Sequence, residues 1–202
     1  MPKVTGNIKS SCGKWLATTV IGGKRYETQM HSAWSNMRGR CRKNTKHQIS
    51  HPTYIGCSIL PEWEDFQNFA EWYSSQVGFE VRGEDDRVFQ LDKDILFKGN
   101  KVYGPDTCVL IPSQLNSFFI DCGAQRGKYP QGVSYFKGGG KFRSYIRDEG
   151  KYVHLGLFRT VGEAEKVYLE AKGDMLVKWI EKLDSQSIVD DRVVSALKQL
   201  LH

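Results

Sequence analysis

The sequence predicts an α+β protein of two small units, the second of them a three-stranded antiparallel sheet packed on a single helix. Three observations lead there. A chain of 202 residues accommodates one large domain or two small ones, and two small ones suit it better. Between residues 132 and 158 three β-type runs follow one another across glycine turns, with a helix start signal directly after them. Upstream, the apolar spacing changes from strand-like to helix-like near residue 30, which places a separate segment ahead of that sheet.

Taken in order, WLATTV, the pair Gly22-Gly23 and KRYET read as two short strands joined by a glycine turn. Met30, Trp34, Met37 and Cys41 then fall at helical spacing. Arg38, Arg40, Arg42 and Lys43 cluster at the end of that helix as candidate DNA contacts; cations there also complement the helix dipole, which leaves capping as an alternative role for part of the cluster. Residues 44–61 read as loop with a short strand. Pro61 suits the first turn of a helix through EWEDFQNFAEWYSSQ, with Trp63, Phe66, Phe69, Ala70 and Tyr73 on its apolar face. Glycine and acids at 78–86 mark a loop in which Glu84, Asp85 and Asp86 are expected to be solvated. The strand VFQLD follows, and KGNKVYGPD is a turn.

From residue 132 the pattern is plainer. GVSYF, a glycine turn at 138–140, KFRSYIR, a turn at 148–150 and YVHLGLF give an antiparallel meander. Thr160 and Glu163 have capping-box spacing, and Ala164, Val167, Tyr168 and Ala171 form the stripe that covers the sheet. SIVDDRVVSALKQLL forms a short terminal helix, packed either on the body or on another subunit. The expected boundaries are 1–125, 126–183 and 184–202.

Side chains alternate along a strand, so Phe142, Ser144 and Ile146 take one face of the middle strand and Arg143, Tyr145 and Arg147 the other. On the third strand Val153, Leu155 and Leu157 are expected in the core, leaving His154 beside Gly156 on the open face. That face is basic and aromatic. A sheet closed on one side by a helix and offering Arg, Tyr and His on the other can lie in the major groove of DNA, which admits a β element. The alternative is that these are ordinary solvent-facing strand residues.

Charge distribution agrees with a polyanionic partner. The net charge is +6, but residues 1–60 carry +9, residues 61–107 carry −6, residues 108–160 carry +5 and residues 161–202 carry −2. Basic segments attract phosphate backbone through counterion release, and carboxylates beside them are what a metal-dependent nuclease needs. Solvated charged faces give the same counts. Five cysteines without a C-x-x-C pair signal neither a disulfide framework nor a zinc knuckle, and buried free thiols are expected. No apolar run reaches membrane-spanning length and the N-terminus lacks a signal-peptide core, so a cytoplasmic protein without a membrane partner is expected.

The stretch GVSYFKGGGKFRSYIRDEGKYVHLGLFRTVGEAEKVYLEAK resembles the APETALA2-type DNA-binding domain over some 40 residues, through G-V, G-K-F, I-R, H-L-G-x-F and T-x-x-E-A. The resemblance implies contacts to bases and phosphates in the major groove from Ser134, Phe136, Arg143, Tyr145, Arg147 and His154, and Lys141 is a further candidate DNA contact. Ser134 and Phe136 replace arginines common in plant members, so base preference does not transfer.

Phage and bacterial proteins with such a domain commonly fuse it to an HNH homing endonuclease. Upstream, W-x-x-M-x-x-R-C (Trp34, Met37, Arg40, Cys41), EW-x-x-F-x-x-F (from Glu62), LDKD and YGPDTC occur in the order found in those proteins. The resemblance implies a ββα-metal N-terminal unit in which Asp92 binds a divalent cation, Mg²⁺ or Mn²⁺. Asp94 adds a second carboxylate on the same side if the strand is extended. The general-base histidine of HNH nucleases is replaced by Lys93, and the asparagine expected before Cys108 is Thr107. Lys93 acts as a base only with a strongly lowered pKa and otherwise stabilises phosphate charge; Asn100, His47 and His51 are candidate replacements as ligand or base. Two functions compete: a homing-type endonuclease cutting double-stranded DNA, and a degenerate nuclease that binds DNA as a regulator without cutting. A third, a protein-interaction module built on the C-terminal helix, leaves both basic segments unexplained.

Overall fold

The structure is a computed structural model in which residues 13–120, 127–148 and 150–201 are described. It is a mixed α+β protein with several small sheets, one of them a three-stranded antiparallel sheet, and six α-helices among the described residues. Two compact units emerge: residues 1–82 with 88–111, and residues 83–87 with 112–202.

The first unit begins with the hairpin β1 (Thr18–Ile21) and β2 (Lys24–Glu27), whose register pairs Val20 with Arg25. Thr28 caps α1 (Gln29–Cys41) by accepting the His31 N–H, and Met30, Trp34 and Met37 form its buried face as their spacing predicts. Residues 44–61, expected as loop with one strand, also hold a short helix, α2 (Lys46–Ser50), before β3 (Ser58–Ile59). Five residues are too few to display an apolar period. Thr45 caps α2, while buried Gln48 donates to the Arg40 and Tyr54 carbonyls.

Pro61 starts a 3-10 turn ending at Glu64 rather than the expected helix. The helix restarts as α3 (Phe66–Ser75) because the Asp65 carboxylate takes the Gln67 N–H at 2.7 Å. Trp63, Phe66, Phe69, Ala70 and Tyr73 are buried as expected, and the Trp34 indole donates to the Trp63 carbonyl at 2.8 Å. The chain continues through β4 (Gln90–Asp92), β5 (Val102–Tyr103) and β6 (Val109–Ile111). β4 pairs antiparallel with β6, and β3 pairs parallel with β5. The next helix, α4 (Ser113–Phe119), belongs to the second unit.

The second unit contains the expected meander: β7 (Val133–Phe136), β8 (Lys141–Asp148) and β9 (Lys151–Phe158), in the order β7-β8-β9. The helix α5 (Val161–Gln186) packs on it. The capping box is present in both directions, Glu163 N–H to Thr160 Oγ1 at 3.2 Å and Thr160 N–H to Glu163 Oε2 at 3.1 Å. Ala164 and Tyr168 are buried against the sheet, and Val167 and Ala171 are half-buried. Gly132 lies so close to the Tyr168 ring that a Cβ there would stand 2.0 Å from it. The terminal helix α6 (Asp191–Gln199) folds back on α5, burying Val193, Val194 and Leu197 near Leu176, Ile180 and Leu183. The acidic loop is not simply solvated: Glu84 pairs with Lys182 at 2.7 Å and Asp85 accepts from the Ser113 hydroxyl.

Candidate nucleic-acid interface

Backbone pairing fixes which side chains share the open face of the sheet. Ser134 stands opposite Arg143 and Phe136 opposite Lys141 across β7 and β8; Tyr145 stands opposite His154 and Arg147 opposite Tyr152 across β8 and β9. Directly opposed residues lie on the same face, and residues two apart along a strand share it. Ser134, Phe136, Lys141, Arg143, Tyr145, Arg147 and His154 are therefore all brought together. Phe142, Ser144 and Ile146 take the other face, where Ser144 and Ile146 are buried.

The third strand departs from simple alternation. A bulge between Ser144 and Tyr145 in the register leaves Leu155 as the extra residue: Ser144 pairs with Gly156, but Tyr145 pairs with His154. One inserted residue exchanges the faces of everything beyond it. Leu157, expected in the core, stands opposite Arg143 on the open face and is 41% exposed, while Gly156 moves to the inner face. Val153 keeps its place opposite Ile146 yet is as exposed as Leu157. Gly156 holds φ at +144°, and a Cβ there would meet the Phe158 ring at 2.8 Å, so the bulge depends on glycine.

Tyr152 is the residue that alternation alone did not single out. It is 70% exposed, its ring lies 5.6 Å from that of Tyr145, and the Arg147 guanidinium sits over it at 5.0 Å. The Arg143 guanidinium lies 5.8 Å from the Tyr145 ring, and its Nε donates to Ser134 Oγ at 3.4 Å. Phe136, Arg143, Tyr145, Tyr152, His154 and Leu157 line an open hollow. Among the described residues no carboxylate pairs with Lys141, Arg143 or Arg147. Aromatic planes hold the guanidinium groups in place, and among the described residues no carboxylate offsets their charge.

The N-terminal basic cluster divides. Arg38 stacks on Trp34 at 4.5 Å and reaches Glu64 at 3.8 Å. Arg40 turns inward, over the Tyr54 ring at 5.2 Å and hydrogen-bonded to Tyr103. Burial works to lower its pKa, but Tyr103, Tyr54 and Asp92 more than offset that, leaving it raised. Arg42 and Lys43 are exposed.

The 92–108 segment closes on itself. β4 ends at Asp92 and the chain bends after it, so the extended strand that would align Asp92 with Asp94 stops short. Asp92 Oδ1 instead accepts the N–H groups of Asp94 and Ile95 at 2.8 and 2.7 Å. Lys93 is buried, 4% exposed, and its ammonium holds both Asp94 oxygens at 2.6 and 2.7 Å and the Asn100 carbonyl at 2.7 Å. The Asn100 amide donates to the Lys93 and Val102 carbonyls at 2.8 Å, and the Thr107 hydroxyl donates to Val102 at 2.7 Å. Burial pushes the Asp92 carboxyl pKa up against those two backbone donors, and pushes the Cys108 thiol up to about 12. The thiol expectation agrees for Cys57 and Cys108, which are free and buried; Cys41 is free and half-buried, and Cys12 and Cys122 lie outside the described residues.

Mg²⁺ is usually held by one or two carboxylates with water and phosphate. Here both Asp94 oxygens accept from the Lys93 ammonium and Asp92 Oδ1 is taken by two backbone N–H groups, so a cation would share these carboxylates with partners they already have. Among the described residues no group of three or more His, Cys, Asp or Glu is placed to hold one. His47 and His51 stack at 4.6 Å on the surface, with His47 also stacked on Tyr54 at 5.4 Å. Burial, His51 and Arg40 lower the pKa of His47. The Lys93 ammonium lies 5.8 Å from the ring of Tyr103, to which Arg40 is hydrogen-bonded.

Comparison with protein-family models, with curated proteins and with solved structures finds no match to this chain. Among the described residues no helix is long and apolar enough to cross a membrane.

Proposed function

We propose that the protein binds duplex DNA through the open face of β7, β8 and β9, and that it binds without cutting. One observation carries the reading: Lys141, Arg143 and Arg147 stand on the same exposed face as Tyr145, Tyr152 and His154, and among the described residues no carboxylate neutralises them. Side chains held two residues apart along a strand reach successive phosphates or base edges, and a major groove about 12 Å wide receives such a sheet. The resemblance to APETALA2-type domains supports the same face.

The antiparallel β4 and β6, followed in sequence by α4, support descent from an HNH-like nuclease of the ββα-metal type. The hydrogen bonds inside 92–108 support the non-cutting form, because Asp94, Lys93, Asn100 and Thr107 are engaged with one another or with backbone.

Fluorescence anisotropy with labelled duplex across a salt series tests binding. Arg143→Ala with Arg147→Ala should lower affinity about 100-fold and reduce the salt slope by about two, since each phosphate contact contributes about 0.9. An unchanged slope removes the sheet from the interface. Supercoiled plasmid with Mg²⁺ or Mn²⁺ should remain intact; cleavage that disappears in Asp92→Ala would establish the endonuclease instead.

A further inference from the structure

Outside the sheet, the β1-β2 hairpin is the part of the described chain whose residues find least cover. Every residue of both strands is exposed except half-buried Thr18. Leu16, Val20 and Ile21 are 67, 64 and 65% exposed. A two-stranded ribbon open on both faces is marginal in water, and apolar side chains left bare on it are stabilised only by something that covers them.

The base of the hairpin is firmly tied and the tip is not. Thr28 N–H donates to the Ala17 carbonyl at 3.0 Å, and Thr28 Oγ1 donates to Leu16 at 2.9 Å. Trp15 exchanges hydrogen bonds with the Gln67 side chain at 2.9 Å each way, and its indole donates to Glu71 at 2.7 Å. Glu27, the hairpin's acid, faces α1, accepting from Ser32 at 3.0 Å and lying 3.2 Å from His31. Gly22 and Gly23 turn the tip with φ of +56° and +77°, the handedness that matches a twisted ribbon, and nothing lies within 4 Å of where their Cβ atoms would be. Lys24 and Arg25 are exposed and, among the described residues, unpaired with any carboxylate.

The register distributes these groups evenly. Ile21 opposes Lys24 on one face and Val20 opposes Arg25 on the other, so each face of the tip offers one apolar group and one cation. A flat partner engages one face of a ribbon and leaves the other cation idle. A groove has a phosphate wall on both sides and base edges, including thymine methyls, on its floor. A second copy of the chain would bring like charges together at the tip. Resting on the reading of the protein as a duplex binder, we infer that the β1-β2 hairpin is a second DNA-contacting arm that enters a groove of the duplex, with Lys24 and Arg25 on opposite phosphate walls and Val20 and Ile21 against the bases.

The test uses the full chain and a labelled duplex of about three helical turns, with four proteins: wild type, Lys24→Ala with Arg25→Ala, Ile21→Ser, and Arg143→Ala with Arg147→Ala. Circular dichroism checks that each is folded, and light scattering gives its mass. The arm is supported if the Lys24/Arg25 variant loses about two units of salt slope and tenfold or more in affinity, and Ile21→Ser weakens binding with the slope unchanged. A Lys24/Arg25 variant that binds like wild type, while the Arg143/Arg147 variant is impaired, overturns the arm and leaves the sheet reading standing. Wild-type duplex binding too weak to measure overturns both. A wild-type dimer that Ile21→Ser converts to monomer, or wild-type binding to anionic vesicles that Ile21→Ser abolishes without affecting DNA binding, assigns the hairpin to a second copy or to a lipid surface and overturns the inference.

Discussion

The open face of β7–β9 and the 92–108 segment are both rich in polar side chains, yet they dispose of them oppositely. On the sheet, Arg143 and Arg147 find aromatic planes, Arg143 also a hydroxyl, and among the described residues no carboxylate pairs with either of them or with Lys141. In the segment, Lys93, Asp94, Asn100 and Thr107 satisfy one another and the backbone at 2.6 to 2.8 Å. A polar group already bonded inside the protein must break that bond to meet a ligand, whereas an unpaired cation on a rigid strand gives up only water and counterions. The contrast is the ground on which we propose binding for the sheet and an architectural role for the segment.

The largest effect separating the two regions is expected from Gly156→Val. The bulge needs φ of +144° and has no space beside Phe158, so the substitution should cost about 1–3 kcal/mol and shift the register that aligns Tyr145 with His154. Thermal unfolding and anisotropy should fall together; wild-type affinity in this variant would separate the bulge from the interface. Next, Lys93→Met leaves Asp94 and the Asn100 carbonyl without their donor, and should destabilise by about 1–3 kcal/mol while leaving duplex affinity within twofold. Loss of binding without loss of stability would move the segment into the interface and break the contrast.

A smaller effect is expected from Asp92→Asn. Burial raises the Asp92 pKa in the folded chain above its unfolded value of about 3.9, so the folded state holds the proton more tightly. That contribution to stability is full below the unfolded pKa and is lost as pH rises through the raised folded value. Asparagine keeps the Oδ1 acceptor for the Asp94 and Ile95 N–H groups without the charge. The variant should therefore melt higher than wild type at neutral pH, with the difference shrinking on acidification toward pH 4. A lower melting temperature at neutral pH would mean that the charge itself is stabilising.

Much of this was legible in advance because it is local. Period-two alternation located β7, β8 and β9, and the Thr160 and Glu163 spacing located the start of α5. Met30, Trp34 and Met37 located the buried face of α1. The bulge was not legible, since V-x-L-x-L alternates equally well in either register and only Gly156 inside the strand hints at an interruption. β3, β5 and β6 are two or three residues long and carry no period of their own. Asp65 could have been found, as an acid immediately before the apolar face of α3, but Pro61 gave the louder start signal. The hydrogen bond of Arg40 to Tyr103 and the burial of Lys93 depend on partners far along the chain, and no spacing encodes them.

The division of labour is tested most directly by amide chemical shifts of the isotopically labelled protein titrated with a duplex. Shifts should concentrate on Arg143, Tyr145, Arg147, Tyr152, His154 and Leu157, with the amides of 92–108 unmoved. Shifts centred on 92–108, with the sheet silent, would contradict the assignment of binding to the open face.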